Sequence, residues 1–297
     1  MYPRWEFSSR YGFELFESTE MVHTLPGEWR YLYSINQYRY RGEVVPISDQ
    51  YSEANILALG DSYTFGQGVQ DNEVYTAVMQ RILDPDFNVI NLGVSGWGLT
   101  QQIRRYYEFG RLYEPRVVIL QFSSNDPSDN VRDRVTIVED GRFRFQEAGG
   151  STNHLRKYLS RSIILQKSQL YNLVRDAGYK FFQSSVMEDA QRILALEQDT
   201  GVSDEEQLYN ELLEVFAMSL HERGVDLIVI GVEEHLNRFP YIRDKVLELE
   251  SSGQLLYVQT AEWFDYEEAL RSPEGHRWGE EAHRIIGTKL SEIVLGL

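Results

Sequence analysis

The sequence predicts an α/β fold, a three-layer α/β/α sandwich around a five-stranded parallel sheet of flavodoxin-like order 2-1-3-4-5. Three observations carry this reading. Short apolar runs alternate with helical stretches of ten to fifteen residues, the rhythm of a parallel sheet with crossover helices. The run Ile56-Leu57-Ala58-Leu59 is apolar at every position, as a central strand covered on both faces must be. Each such run ends in a small, polar turn, beginning with Gly60-Asp61-Ser62.

Residues 1–52 are aromatic and polar without a helical period, and Tyr31 to Tyr40 followed by Arg41-Gly42 alternates as a short hairpin would. This extension is expected to pack on the core and cover a sheet edge, with the rim of the site as its alternative role. The main domain spans residues 53–297. It opens with strands at Asn55–Leu59, Phe87–Leu92 and Arg116–Phe122 and with helices near Glu73–Leu83 and Leu99–Tyr113. Pro115 stops the second helix. Right-handed crossovers then place helices on both faces of the sheet.

After Asn125 the rhythm breaks, and an insertion over about 127–224 is expected. Within it, Val135–Val138 and Arg142–Phe145 flank Asp140-Gly141, two residues that tolerate the positive φ of a tight hairpin turn. Helices follow near His154–Ala177, Val186–Gln198 and Asp204–Arg223. The segment leaves from the end of the third strand, so a lid or substrate wall is the functional expectation. Leu208, Leu212, Val215 and Phe216 equally suit a helix that only buries an apolar face. The chain closes with a strand at Val225–Gly231, a helix near Phe239–Glu250, a short strand at Leu255–Val258 and a helix near Glu280–Val294.

Composition narrows the function. With 46 acidic against 29 basic residues the net charge is -17, which repels phosphate backbones and anionic membrane surfaces, so no nucleic-acid partner is expected. Zero cysteines exclude disulfides, thiolate metal sites and a cysteine nucleophile. No apolar run is long enough to span a membrane, and Met1–Arg10 has no apolar signal core, so the expectation is a soluble chain, cytoplasmic by default.

In a parallel sheet the C-terminal ends of all strands share one edge, where residues distant in sequence converge. That edge collects Asp61 and Ser62, then Gly93 with Ser95-Gly96-Trp97-Gly98, then Ser123 to Asp126, and last Glu274-Gly275-His276. Ester or amide cleavage needs an activated hydroxyl, a base, a group to orient the base and donors for the oxyanion. Ser62 fits the nucleophile, His276 the base and Glu274 the orienting carboxylate; the Ser62 and Gly96 N–H groups and the Asn125 amide fit the oxyanion donors. Asp61 is read as fastening the turn.

Competing chemistry fits less well. Ser95 lacks the glycine that a G-x-S-x-G elbow needs at Trp97, and Gly60–Gly66 lacks the lysine of a phosphate loop. Glu280-x-x-His283 has a ligand-pair spacing without a second copy, and no metal or cofactor is expected. His235 is read as a satisfied loop histidine, and Trp97 and Tyr63 as packing residues that could alternatively stack on a sugar.

These residues resemble the SGNH, or GDSL-type, hydrolases. The resemblance lies in Gly60-Asp61-Ser62, in Asn91-Leu92-Gly93-Val94-Ser95-Gly96, in Asn125-Asp126 and in the terminal acid-x-His segment. It implies a flavodoxin-like sandwich and metal-independent cleavage of acyl or acetyl esters, O-acetylated carbohydrate and lipid acyl esters among them, with a small-molecule or glycan ester as substrate. Tyr63 replaces the leucine of the first block, Ser123 the glycine before Asn125, and Glu274 stands where the family has aspartate. Asp265, with Glu267 and Glu268 behind it, is the alternative acid. An acyltransferase acting on a cell-surface glycan and a non-catalytic glycan-binding module are the alternative functions.

Overall fold

A computed structural model describes residues 5–47, 55–148, 202–264 and 270–297. Strands β1 (Trp5–Ser8) and β2 (Gly12–Leu15) pair antiparallel, as do β3 (Thr19–Leu25) and β4 (Trp29–Ile35). The extension therefore holds two hairpins, and the expected one begins earlier than Tyr31. Met21 and His23 alternate inward opposite Tyr33 and Tyr31, giving the pair a buried face. Past β4 the chain turns back, and Arg41 bridges Asn91 on the core sheet.

The core follows as β5 (Asn55–Leu59), the single turn α1 (Ser62–Phe65), α2 (Tyr75–Leu83), β6 (Asn88–Asn91), α3 (Leu99–Glu108) and β7 (Val117–Phe122). Then come α4 (Asp126–Arg132), β8 (Thr136–Glu139), β9 (Arg142–Phe145), α5 (Asp204–His221), β10 (Asp226–Gly231), α6 (Pro240–Ser251), β11 (Leu256–Gln259) and α7 (Glu280–Gly296).

Five strands form one parallel sheet in the order β11-β10-β7-β5-β6, the predicted 2-1-3-4-5 read from its other edge. Alternation along the strands explains the layers. Ile56, Ala58, Val117, Ile119, Ile228 and Ile230 meet Tyr75 and Met79 of α2 and Ile286 and Leu290 of α7 on one face. Leu57, Leu59, Val118, Leu120 and Val229 meet Ile103 of α3, Leu212 and Phe216 of α5 and Val246 of α6 on the other. Burying both faces is what requires apolar side chains at every position of β5 and β7.

Helix α5 thus covers the sheet between β7 and β10 and belongs to a core layer. The hairpin β8–β9 forms where expected, with positive φ at Asp140 and Gly141, and its Phe143 and Phe145 pack on Tyr107 of α3. The expected helices at 154–177 and 186–198 lie outside the described residues.

Candidate active site

Ser62 opens α1 directly after β5, so the first turn holds its hydroxyl at the carboxyl edge of the sheet. Asp61 caps that turn by accepting from the Tyr63 N–H at 3.0 Å. Its other oxygen accepts from Ser123 Oγ at 2.8 Å and Asn125 Nδ2 at 3.1 Å, tying the end of β5 to the end of β7. Asp61 is buried, and burial raises its pKa although the Tyr63, Ser123 and Asn125 donors pull the other way. It fastens the turn, as its place in the sequence suggested.

His276 comes from the loop before α7. That loop folds on itself: the Ser272 hydroxyl accepts from the His276 N–H at 3.0 Å, and the Ser272 N–H donates to the His276 carbonyl at 2.8 Å. Fully buried Trp278 anchors it, and the Tyr63 ring lies 4.3 Å from the imidazole and 4.9 Å from the indole. The imidazole Nε2 reaches Ser62 Oγ at 3.1 Å. Burial pushes the His276 pKa down to about 4, with a smaller opposing contribution from the Trp278 backbone, so the ring is neutral at pH 7. A neutral imidazole at this distance can accept the serine proton.

Glu274 does not orient that base. Its carboxylate accepts from Gln67 Nε2 at 3.1 Å and lies 3.9 Å from His23 Nε2, under the β3–β4 hairpin. Between Glu274 and His276, Gly275 adopts φ +101°, which turns the two side chains into different surroundings. The His276 Nδ1 is buried without a hydrogen-bond partner among the described residues. Asp265, Glu267 and Glu268 lie outside them.

The donors also differ from expectation. Asn125 stands at the end of β7, but both amide hydrogens are engaged, one by Asp61 and the other by Asp129 Oδ2 at 2.6 Å. Gly96 has φ +82°, a backbone conformation that favours glycine, and the tip of Phe13 lies beside it, 3.6 Å from where a Cβ would sit. Trp97 and Tyr63 are buried; Trp97 stacks on Tyr11 at 4.9 Å and donates its Nε1–H to the Phe13 carbonyl at 3.0 Å, so neither offers a face to a sugar. His235 is buried and its Nδ1 accepts from the Ser124 N–H at 3.2 Å. His283 is buried in the core with Nδ1 accepting from the Tyr75 N–H at 3.2 Å.

Sequence reasoning missed the residues that reach the site from the extension and from α4. Buried Arg41 donates to the carbonyls of Phe65, Gly66 and Val69 at 2.6–2.8 Å, closing the far end of the turn that Ser62 begins, and pairs with Asp71 at 2.7 Å. Arg132 donates to the Gly96 carbonyl at 2.5 Å. The i, i+3 spacing of Asp129 and Arg132, just past Asn125-Asp126-Pro127, was the readable signal for the second; a lone arginine in an aromatic extension offered none for the first.

A doubly covered parallel sheet thus brings a serine and a histidine together at its carboxyl edge. The chain belongs to the GDSL-like lipase/acylhydrolase family, whose profile matches residues 58–238. A solved structure shares the fold. A lipolytic protein of the G-D-S-L family from Desulfitobacterium hafniense DCB-2 is 13% identical, with 81% of this chain and 99% of that chain covered and a TM-score of 0.50. TesA is 14% identical over 81% and 99% of the two chains, with a TM-score of 0.48. The aryl esterase of M. smegmatis is 12% identical over 82% and 99%, with a TM-score of 0.47. No curated protein matches the sequence. Among the described residues no helix is long and apolar enough to cross a membrane.

Proposed function

We propose that this hydrolase is a serine esterase that works through an acyl-enzyme on Ser62. The observation that carries the reading is the 3.1 Å approach of His276 Nε2 to Ser62 Oγ, with the imidazole held neutral by burial. Ser62 attacks the ester carbonyl while His276 takes its proton, and the same proton then passes to the departing alkoxide. Water, deprotonated by His276, attacks the acyl-enzyme, and the proton passes to the Ser62 oxygen as the acid is released. The Ser62 and Gly96 N–H groups and the Asn125 amide are the donors proposed for the oxyanion; Asn125 serves once the arriving oxygen shares the hydrogen now given to Asp129. Short acyl esters, acetylated sugars included, are the substrates proposed.

The test pairs a fluorophosphonate probe with turnover of a short-chain aryl acetate. Wild-type protein is expected to be labelled on Ser62 and to hydrolyse the ester, and S62A to do neither. A folded wild-type protein that is inert to both overturns the reading.

A further inference from the structure

The proposed oxyanion donors lie in an acidic neighbourhood. Asn125 donates to Asp61 and Asp129; Asp126, fully buried, accepts from the Ser123 N–H at 2.7 Å; Asp133 follows at the end of α4. Burial first, and neighbouring carboxylates in addition, raise the pKa of Asp61, Asp126 and Asp129. An oxyanion formed beside Asp129 adds a second negative charge at close range, which opposes its formation.

Arg132 is set among them. Its Nη1 donates to Asp129 Oδ1 at 2.5 Å, its Nε to Asp133 Oδ2 at 2.8 Å, and its Nη2 to the Gly96 carbonyl at 2.5 Å. One guanidinium therefore joins a carboxylate that holds Asn125 to Gly96, which carries another of the proposed donors. It also lies 5.7 Å from the centroid of the Phe13 ring, whose tip covers Gly96. Three directed bonds in one plane suit a guanidinium and not an ammonium.

We propose that Arg132 is a positioning residue of the oxyanion site: it holds Gly96 in register through its carbonyl and offsets the Asp129 charge beside Asn125. The inference rests on the Ser62 esterase reading. Its effect falls on the transition state, because the ester substrate is neutral at its carbonyl and the tetrahedral intermediate is not. A surface i, i+3 ion pair without this role would leave kcat untouched.

The experiment compares wild type, R132Q, R132K, and the R132Q/D129N double variant on an aryl acetate, with melting temperatures as the folding check and S62A as the zero. R132Q is expected to lose kcat by about 30-fold while KM stays within about twofold. R132K keeps the charge but not the three-way geometry and is expected to fall between, which also serves if R132Q does not fold. Adding D129N to R132Q removes the unbalanced charge and is expected to recover about fivefold in kcat. A folded R132Q with wild-type kcat, or a double variant no faster than R132Q, overturns the proposal. If the wild-type protein shows no Ser62-dependent turnover, the esterase reading falls with it; if Ser62 is active and Arg132 is silent, this proposal falls alone.

Discussion

Glu274 and His276 stand two residues apart and serve different neighbours: the carboxylate meets Gln67 and His23, and the imidazole meets Ser62. The acid one would assign from sequence thus ties the histidine loop to the hairpin β3–β4. Burial raises the Glu274 pKa and pushes that of His23 down to about 4. His23 Nδ1 in turn contacts the Tyr33 hydroxyl at 3.1 Å, and that hydroxyl accepts from the Gly68 N–H at 3.0 Å.

Glu274→Gln is therefore expected to keep kcat/KM within about threefold of wild type, since the Gln67 amide still finds an acceptor. Loss of a carboxylate that orients a catalytic histidine costs ~10⁴-fold. Steady-state kinetics on an aryl acetate separate the two outcomes without ambiguity.

The pH profile reads the other side of the imidazole. His276 must be neutral to act, and its pKa stands near 4, so kcat/KM is expected to fall only as the pH drops through about 4 and to be flat from there through neutrality. A carboxylate facing Nδ1 would favour the imidazolium and move the acidic limb upward. A limb near 6 or 7 that shifts down in D265N would assign that role to Asp265.

Much of this was legible in the sequence, and the division follows physical lines. The strands of the core declared themselves because a sheet covered on both faces tolerates only apolar side chains, and Ser62, Gly96 and Asn125 followed from the rule that strand ends share an edge. Glu274 was misread because spacing along a chain does not give side-chain direction, and the positive φ at Gly275 reverses it. The hairpins of the extension were misplaced because β1 to β4 are short and their buried faces are supplied by Phe65, Val94 and Trp97 from far along the chain. Arg41 had no local signature at all, since its partners are backbone carbonyls and an aspartate 30 positions further on.

Arg41→Met is expected to destabilise the fold by about 3–5 kcal/mol, as for any buried ionic group deprived of one member, because it strands the Phe65, Gly66 and Val69 carbonyls and Asp71 together. Denaturant unfolding gives the value. A cost below 1 kcal/mol would mean that water replaces the guanidinium.

The Ser62–His276 contact joins residues 214 positions apart, and α7, which follows the histidine, packs on α2 near the serine. A refolding chain can assemble β5, β6 and β7 with their helices early, yet Ser62 meets His276 only when α7 docks. Under the proposed esterase reading, the appearance of ester cleavage during refolding times that docking, so that a chromogenic ester added to refolding protein works as a stopwatch for α7.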